Sequence, residues 1–128
     1  MPDPLAIVVD RTPHPWLLPN QKKHARTTKP YRDLLRDTAA IATGNALNGK
    51  AWAWDGEIMV RIEVYWEPGR SRCDTDNLIS ACKGLVDGVF SKIDANDRQV
   101  TGYMVHQHRD NLKDGYCVLL IDPMETRA

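Results

Sequence analysis

The sequence predicts a single small α+β domain, a mixed β-sheet with two main helices in the order β-α-β-α-β-β. Three observations carry this. Glu57 to Trp66 alternates, with Ile58, Val60, Ile62, Val64 and Trp66 on one side. Two other segments repeat apolar residues at three- and four-residue steps. The strand-like runs Val100 to His108 and Tyr116 to Ile121 cluster after the second helix rather than alternating with helices, which disfavours a doubly wound parallel sheet. With 128 residues, 42% of them hydrophobic, residues 1–128 suffice for one core without disulfides or a structural metal.

Leu5 to Val9 is short, apolar and partly β-branched, as in a first strand. Pro13, Pro15 and Pro19 then impose a loop over Arg11 to Asn20. From Thr28 the spacing turns helical, with Pro30 suited to a first turn and Tyr31, Leu34, Leu35, Thr38, Ile41 and Ala42 recurring at three- and four-residue steps. Gly44 or Gly49 should end this helix, and Pro68-Gly69 should end the alternating strand. A second helix is expected from Thr75 or Asp76, carrying Leu78, Ile79, Cys82, Leu85, Val86, Val89 and Phe90 as one apolar stripe. The last two strands read most simply as a hairpin through Asp110 to Gly115.

No apolar run is long enough for a membrane span, and Asp3 and Pro4 stand where a signal peptide would carry basic and apolar residues. Cys73, Cys82 and Cys117 are odd in number and lack Cys-x-x-Cys spacing, so neither a disulfide framework nor a zinc site is indicated. An unprocessed, soluble, cytoplasmic protein is the expectation. Lys plus Arg and Asp plus Glu both total 17, yet the distribution is uneven. Arg11, Lys22, Lys23, Arg26, Lys29, Arg32 and Arg36 face only Asp33, whereas acids concentrate from Asp74 onward. Such a basic segment is either a solvated surface or a phosphate-binding one.

The densest chemistry lies in Arg70-Ser-Arg72-Cys-Asp74-Thr-Asp76-Asn77 and in Asn96-Asp97. Asp74 and Asp76 are two apart, so an extended entry into the helix projects both toward one side. Neighbouring carboxylates repel unless a cation or hydrogen-bond network compensates, and hard oxygen donors suit magnesium, with manganese as a substitute. Such an ion can polarise a phosphodiester and activate water against it. Asp76, Ser80, Lys83 and Asp87 fall on one polar helix stripe, which puts Lys83 on the acidic side, where its ammonium could meet a phosphate oxygen. The same residues have plainer readings: Asp74, Thr75 and Asp76 as helix caps, Lys83 and Asp87 as a surface pair, Asp97 as a turn residue. An EF-hand is excluded because Ile79 stands where its loop requires glycine. His106 and His108 read as surface histidines, Trp66 as core or interface, and Cys82 as a packed hydrophobe. Trp16, Trp52 and Trp54 are candidates for base stacking.

Asp74-Thr-Asp-Asn77-Leu, Lys83 with Asp87-Gly88, and Asn96-Asp97-Arg-Gln-Val100 together resemble the RusA family of Holliday-junction resolvases, over essentially the whole chain. Pro19-Asn20, Lys22-Lys23-His24-Ala-Arg26 and Tyr31-Arg32 also resemble that family's opening segment. The resemblance implies a RusA-like endodeoxyribonuclease, bacterial or phage-encoded. Its task would be to resolve four-way junctions by paired phosphodiester hydrolysis in recombination and repair. It implies magnesium at Asp74, Asp76 and Asp97, Lys83 as the catalytic lysine, a homodimer, and no organic cofactor. DNA contacts would come from Asn20, Lys22, Lys23, Arg26, Lys29, Arg32, Arg70, Arg72 and Asn77. Two departures stand out: Lys83 falls six residues after Asn77 where the best-known pattern has three, and Asn96 replaces an acid found in many members. They leave a non-catalytic branched-DNA-binding protein of the same fold as the alternative.

Overall fold

The computed structural model describes residues 1–18, 25–70, 73–109 and 114–125. It is an α+β domain with strands β1 (Leu5–Val9), β2 (Ile58–Tyr65), β3 (Val100–His108) and β4 (Tyr116–Pro123), and helices α1 (Ala25–Leu47), α2 (Thr75–Ala81) and α3 (Lys83–Phe90). Single 3-10 turns occupy Pro15–Leu17 and Asp97–Gln99.

The strands form one mixed sheet in the order β1-β4-β2-β3. β4 lies antiparallel to both β1 and β2, while β2 and β3 run parallel. The expected β3–β4 hairpin is therefore absent, and burial explains why. β4 hides every second residue, Cys117, Leu119, Ile121 and Pro123, which suits an interior lane, whereas β3 fully buries only Val105 and takes an edge. Parallel pairing of β2 with β3 requires a crossover, which α2 and α3 supply.

One face of the sheet carries the core. Ile7, Val9, Ile58, Val60, Ile62, Val64, Trp66, Leu119 and Ile121 pack beneath the helices, so the alternation expected of β2 holds residue for residue. Trp52 is also core, only 7% exposed.

The helices correct two expectations. The second one is interrupted at Cys82 (φ −88°, ψ 0°), whose N–H is shared between the carbonyls of Leu78 and Ile79 at 3.0 and 3.2 Å, a local 3-10 tightening. The apolar stripe survives the break except at Ile79, which is 36% exposed. On α1 the buried residues are Leu35, Ala39 and Thr43, while Leu34 and Ile41 face outward. Small residues are required there because α3 approaches closely through Gly84 and Gly88: a Cβ on Gly88 would lie 2.2 Å from the Arg36 carbonyl oxygen and 2.8 Å from Ala39 Cβ. α1 ends through left-handed residues at Asn48 (φ 50°) and Gly49 (φ 81°), and contains Pro30 inside its span rather than in the first turn. Among the described residues, no helix is long and apolar enough to cross a membrane.

Candidate metal and nucleic-acid site

Gln107, near the end of β3, fixes the entry into α2. Its amide nitrogen donates to the Cys73 carbonyl at 2.7 Å, and its oxygen accepts from Trp66 Nε1 at 2.9 Å. Asp74 then takes the N-cap backbone position (φ −68°, ψ 142°), but its carboxylate makes no capping hydrogen bond. Asp76 follows in the first turn. Both side chains are exposed, so the capping alternative does not engage Asp74 and the pair keeps its oxygens available. Asn77 is half-buried beside them.

Asp97 opens the 3-10 turn before β3, and here the capping is done by its neighbours. The Asn96 side chain accepts from the Arg98 N–H at 2.9 Å, and Gln99 returns a bond to the Asn96 N–H at 2.6 Å, a reciprocal capping box. The same Gln99 amide donates to the carbonyls of Trp54 and Gly56 at 2.7 and 2.8 Å, which ties the turn to the loop before β2. Asn96 thus serves as a cap, a role asparagine and aspartate share. Gln99→Ala should destabilise the protein by about 1–2 kcal/mol, because two carbonyls and a turn lose their partner. Urea unfolding checks this, together with faster hydrogen exchange at the Asn96 amide.

Within one chain the fold does not bring Asp97 to the other two aspartates. Cys73 sits against Gln107 while Asp97 precedes Val100, so the length of β3, about 23 Å from Val100 to Gln107, lies between the two ends of the crossover. Asp97 and Asp87 both act on Tyr103, raising the pKa of its phenol, after burial as the larger cause. Accordingly, no group of three or more His, Cys, Asp or Glu side chains among the described residues is placed to hold a metal. The donor chemistry of Asp74, Asp76 and Asp97 suits a hard cation; a single protomer does not assemble it.

Lys83, at the start of α3, turns toward α1. It lines a cleft of about 540 Å³ together with Ser80, Asp87, Arg32, Arg36 and Trp16. Lys29 and Arg36 are paired with Asp33, whereas Arg32 and Lys83 form no salt bridge among the described residues. Arg26 is exposed on the same helix. Asn20, Lys22, Lys23 and Arg72 lie outside the described residues. Arg70, expected at DNA, is engaged within the fold. Its guanidinium pairs with Glu67 at 2.6 Å, donates to the Pro13 carbonyl at 2.9 Å and covers the Trp66 ring at 4.4 Å. Charge and packing at the base of the 11–18 loop explain its use there.

That loop is held by an aromatic knot. His14 stacks on Tyr31 at 3.8 Å, and the Trp16 ring stands roughly perpendicular to both, with centroids 5.2 and 5.4 Å away. The Trp16 backbone N–H donates to His14 Nδ1 at 3.1 Å, which requires that nitrogen unprotonated. Burial first, and the Arg70 charge second, push the His14 pKa below its ordinary 6.5. Because the folded pKa is the lower one, this contribution to stability is complete above pH 6.5 and is lost as pH falls below it. Histidine-resolved NMR should show His14 titrating below its ordinary 6.5. Loss of His14–Trp16 contacts should follow its protonation.

His106 and His108 are surface residues with a shared partner. Nδ1 of the first and Nε2 of the second lie 3.1 and 2.7 Å from the two oxygens of Glu63, on the sheet face opposite the helices. Burial opposes ionisation of Glu63, but the hydrogen bonds from His108 and His106 prevail and hold its pKa below the usual value. Sequence reasoning missed Tyr103 and the anchoring role of Gln99, since both depend on contacts across the fold. No protein-family model matches the chain, and no curated protein matches it.

Proposed function

We propose that the chain is a magnesium-dependent, structure-selective endodeoxyribonuclease of the RusA type. It would act on four-way DNA junctions as a twofold dimer, each metal site taking Asp74 and Asp76 from one protomer and Asp97 from the other. The observation that carries this reading is the state of the three aspartates. All are exposed, and none forms a side-chain hydrogen bond or salt bridge among the described residues, while neighbouring residues do the local structural work. In this reading a second copy brings Asp97 to the pair, and a twofold axis would supply two equivalent composite sites, matching the two strands to be cut.

Bound magnesium would polarise the scissile phosphate and make a water acidic enough to attack it. Asp74, Asp76 and Asp97 would hold and neutralise the ion. Lys83 and Arg32 bind phosphate from the cleft, with affinity that falls as salt rises. The alternative is a non-catalytic branched-DNA binder, motivated by Asn96 beside Asp97 and by the later position of Lys83.

A mixing experiment separates these. Asp76→Asn and Asp97→Asn proteins should each be inactive on a labelled junction. Refolded together, they form heterodimers in which one protomer's intact Asp74–Asp76 pair meets the other's intact Asp97, and single-strand nicking should return. Inactive wild-type protein at all divalent metals tried would remove the enzyme reading, whereas active wild type without complementation would remove the shared site.

A further inference from the structure

The outer strand of a sheet presents a row of unpaired backbone N–H and C=O groups, and proteins that stay monomeric protect it with charge, proline or a covering segment. β3 stands at such an edge and pairs only with β2 among the described residues. Its sequence, from Val100 to His108, contains no proline, lysine, arginine, aspartate or glutamate. A bulge falls at its start, where the register shifts between Ile58 and Met59, and the strand then runs regularly to His108. Tyr103 and Met104, in mid-strand, are each 41% exposed, and Ile79, on the helix that packs against β3, also reaches solvent. The opposite edge, β1, is only five residues long and is flanked by α1.

Resting on the composite site of the function proposed above, we infer that a second copy of this chain docks along β3, the two β3 strands pairing antiparallel about a twofold axis near Tyr103 and normal to the sheet. Such an axis reverses the strand while keeping the helices of both copies on the same side. The reversal is what the aspartates need. Asp97 precedes β3, whereas Asp74 follows Cys73, whose carbonyl is bonded to Gln107 near the other end. Antiparallel pairing therefore sets Asp97 of one copy level with Asp74 and Asp76 of the other, across strands about 4.8 Å apart. The sides agree as well: Tyr103, which feels the Asp97 charge, and Gln107 lie opposite Val60 and Val64 on the face that the helices cover. Packing the two uncovered sheet faces together would leave both sheets between these carboxylates, and pairing through β1 would send them to opposite ends of the assembly. Neither of those dimers completes the site.

Sedimentation equilibrium of the whole chain without DNA, with magnesium and with EDTA, tests this. Wild type should be dimeric in magnesium. Met104→Glu and Met104→Lys should each weaken the dimer about tenfold or more by setting like charges against each other near the axis, and mixing the two should restore a heterodimer. Met104 faces Arg61 of β2 within its own sheet, so the glutamate has an internal partner and the fold should survive, as a melting curve checks. In a Cys73→Ser background, Tyr103→Cys or Met104→Cys should yield a disulfide-linked dimer on oxidation, because residues paired across an antiparallel ladder come within disulfide reach, while Val8→Cys on β1 should not. A monomeric wild type, a dimer indifferent to both Met104 variants, or cross-linking through Val8 instead of β3 overturns the inference. Magnesium should tighten the wild-type dimer, and Asp97→Asn should abolish that tightening. A β3 dimer indifferent to magnesium would keep the interface and remove the shared metal site, so the two readings can fail separately.

Discussion

Asp97→Asn is expected to reduce junction cleavage by about two to three orders of magnitude, with junction binding and thermal stability close to wild type. The magnitude follows from removing a charged group that stabilises the reacting centre, which typically costs 10²–10³ in rate or more. Stability should be nearly untouched, since the side chain is exposed and the turn is capped by Asn96 and Gln99 instead. Quench-flow or gel-resolved cleavage at saturating magnesium, set beside a melting curve, measures both. Asp74→Asn and Asp76→Asn should behave alike. Any variant of the three that cuts at the wild-type rate sinks the catalytic assignment, and one that unfolds would show that its carboxylate has a structural task the geometry does not reveal.

The largest effect on stability is expected from Gly88→Val. The first added carbon alone would lie 2.2 Å from the Arg36 carbonyl oxygen and 3.0 Å from the Ala40 nitrogen, both backbone atoms that a rotamer change cannot move. α1 and α3 must separate, at a cost of about 3 kcal/mol or more, equivalent to a fall in Tm of about 10 °C. Gly84→Ala offers an internal control. Its Cβ would stand 3.1 Å from the Arg32 carbonyl oxygen, a tight but tolerable contact, and the gain in helix propensity offsets much of the strain. A much smaller change there than at Gly88 would place the helix contact where the structure puts it. Because the same contact shapes the cleft, Gly88→Val should also weaken DNA binding by protein that remains folded.

Much of the architecture was legible in local pattern. The alternation from Ile58 to Val64 marks a half-buried strand, the stripe from Leu78 to Val89 marks helical chain, which the structure divides at Cys82, and Gly49 is one of the two glycines at which the first helix is expected to end. What failed was non-local. Two apolar strands adjacent in sequence invite a hairpin, yet β4 pairs with β1 and β2, a choice set by the competition for buried lanes. The periodic set on α1 includes Leu34 and Ile41, which face outward, and omits Ala39 and Thr43, which are buried; Ala39 is small where Gly88 of α3 comes close. The candidate site shows the same division. Asp74 and Asp76 were correctly placed at a helix start, while the distance to Asp97, and the internal use of Arg70, depended on how the crossover spans the sheet.

The central position of β4 bears on biogenesis. β1 and β2 make no ladder with each other; each is bonded to β4, which is synthesised after every other strand. A nascent polypeptide therefore carries two exposed, apolar strand edges until that final segment emerges and slides between them, and its closure awaits contacts spanning more than a hundred positions, such as Leu5 with Ile121. Folding should be slow relative to helical proteins of similar size, and translation stalled short of residue 116 should yield a species that chaperones bind.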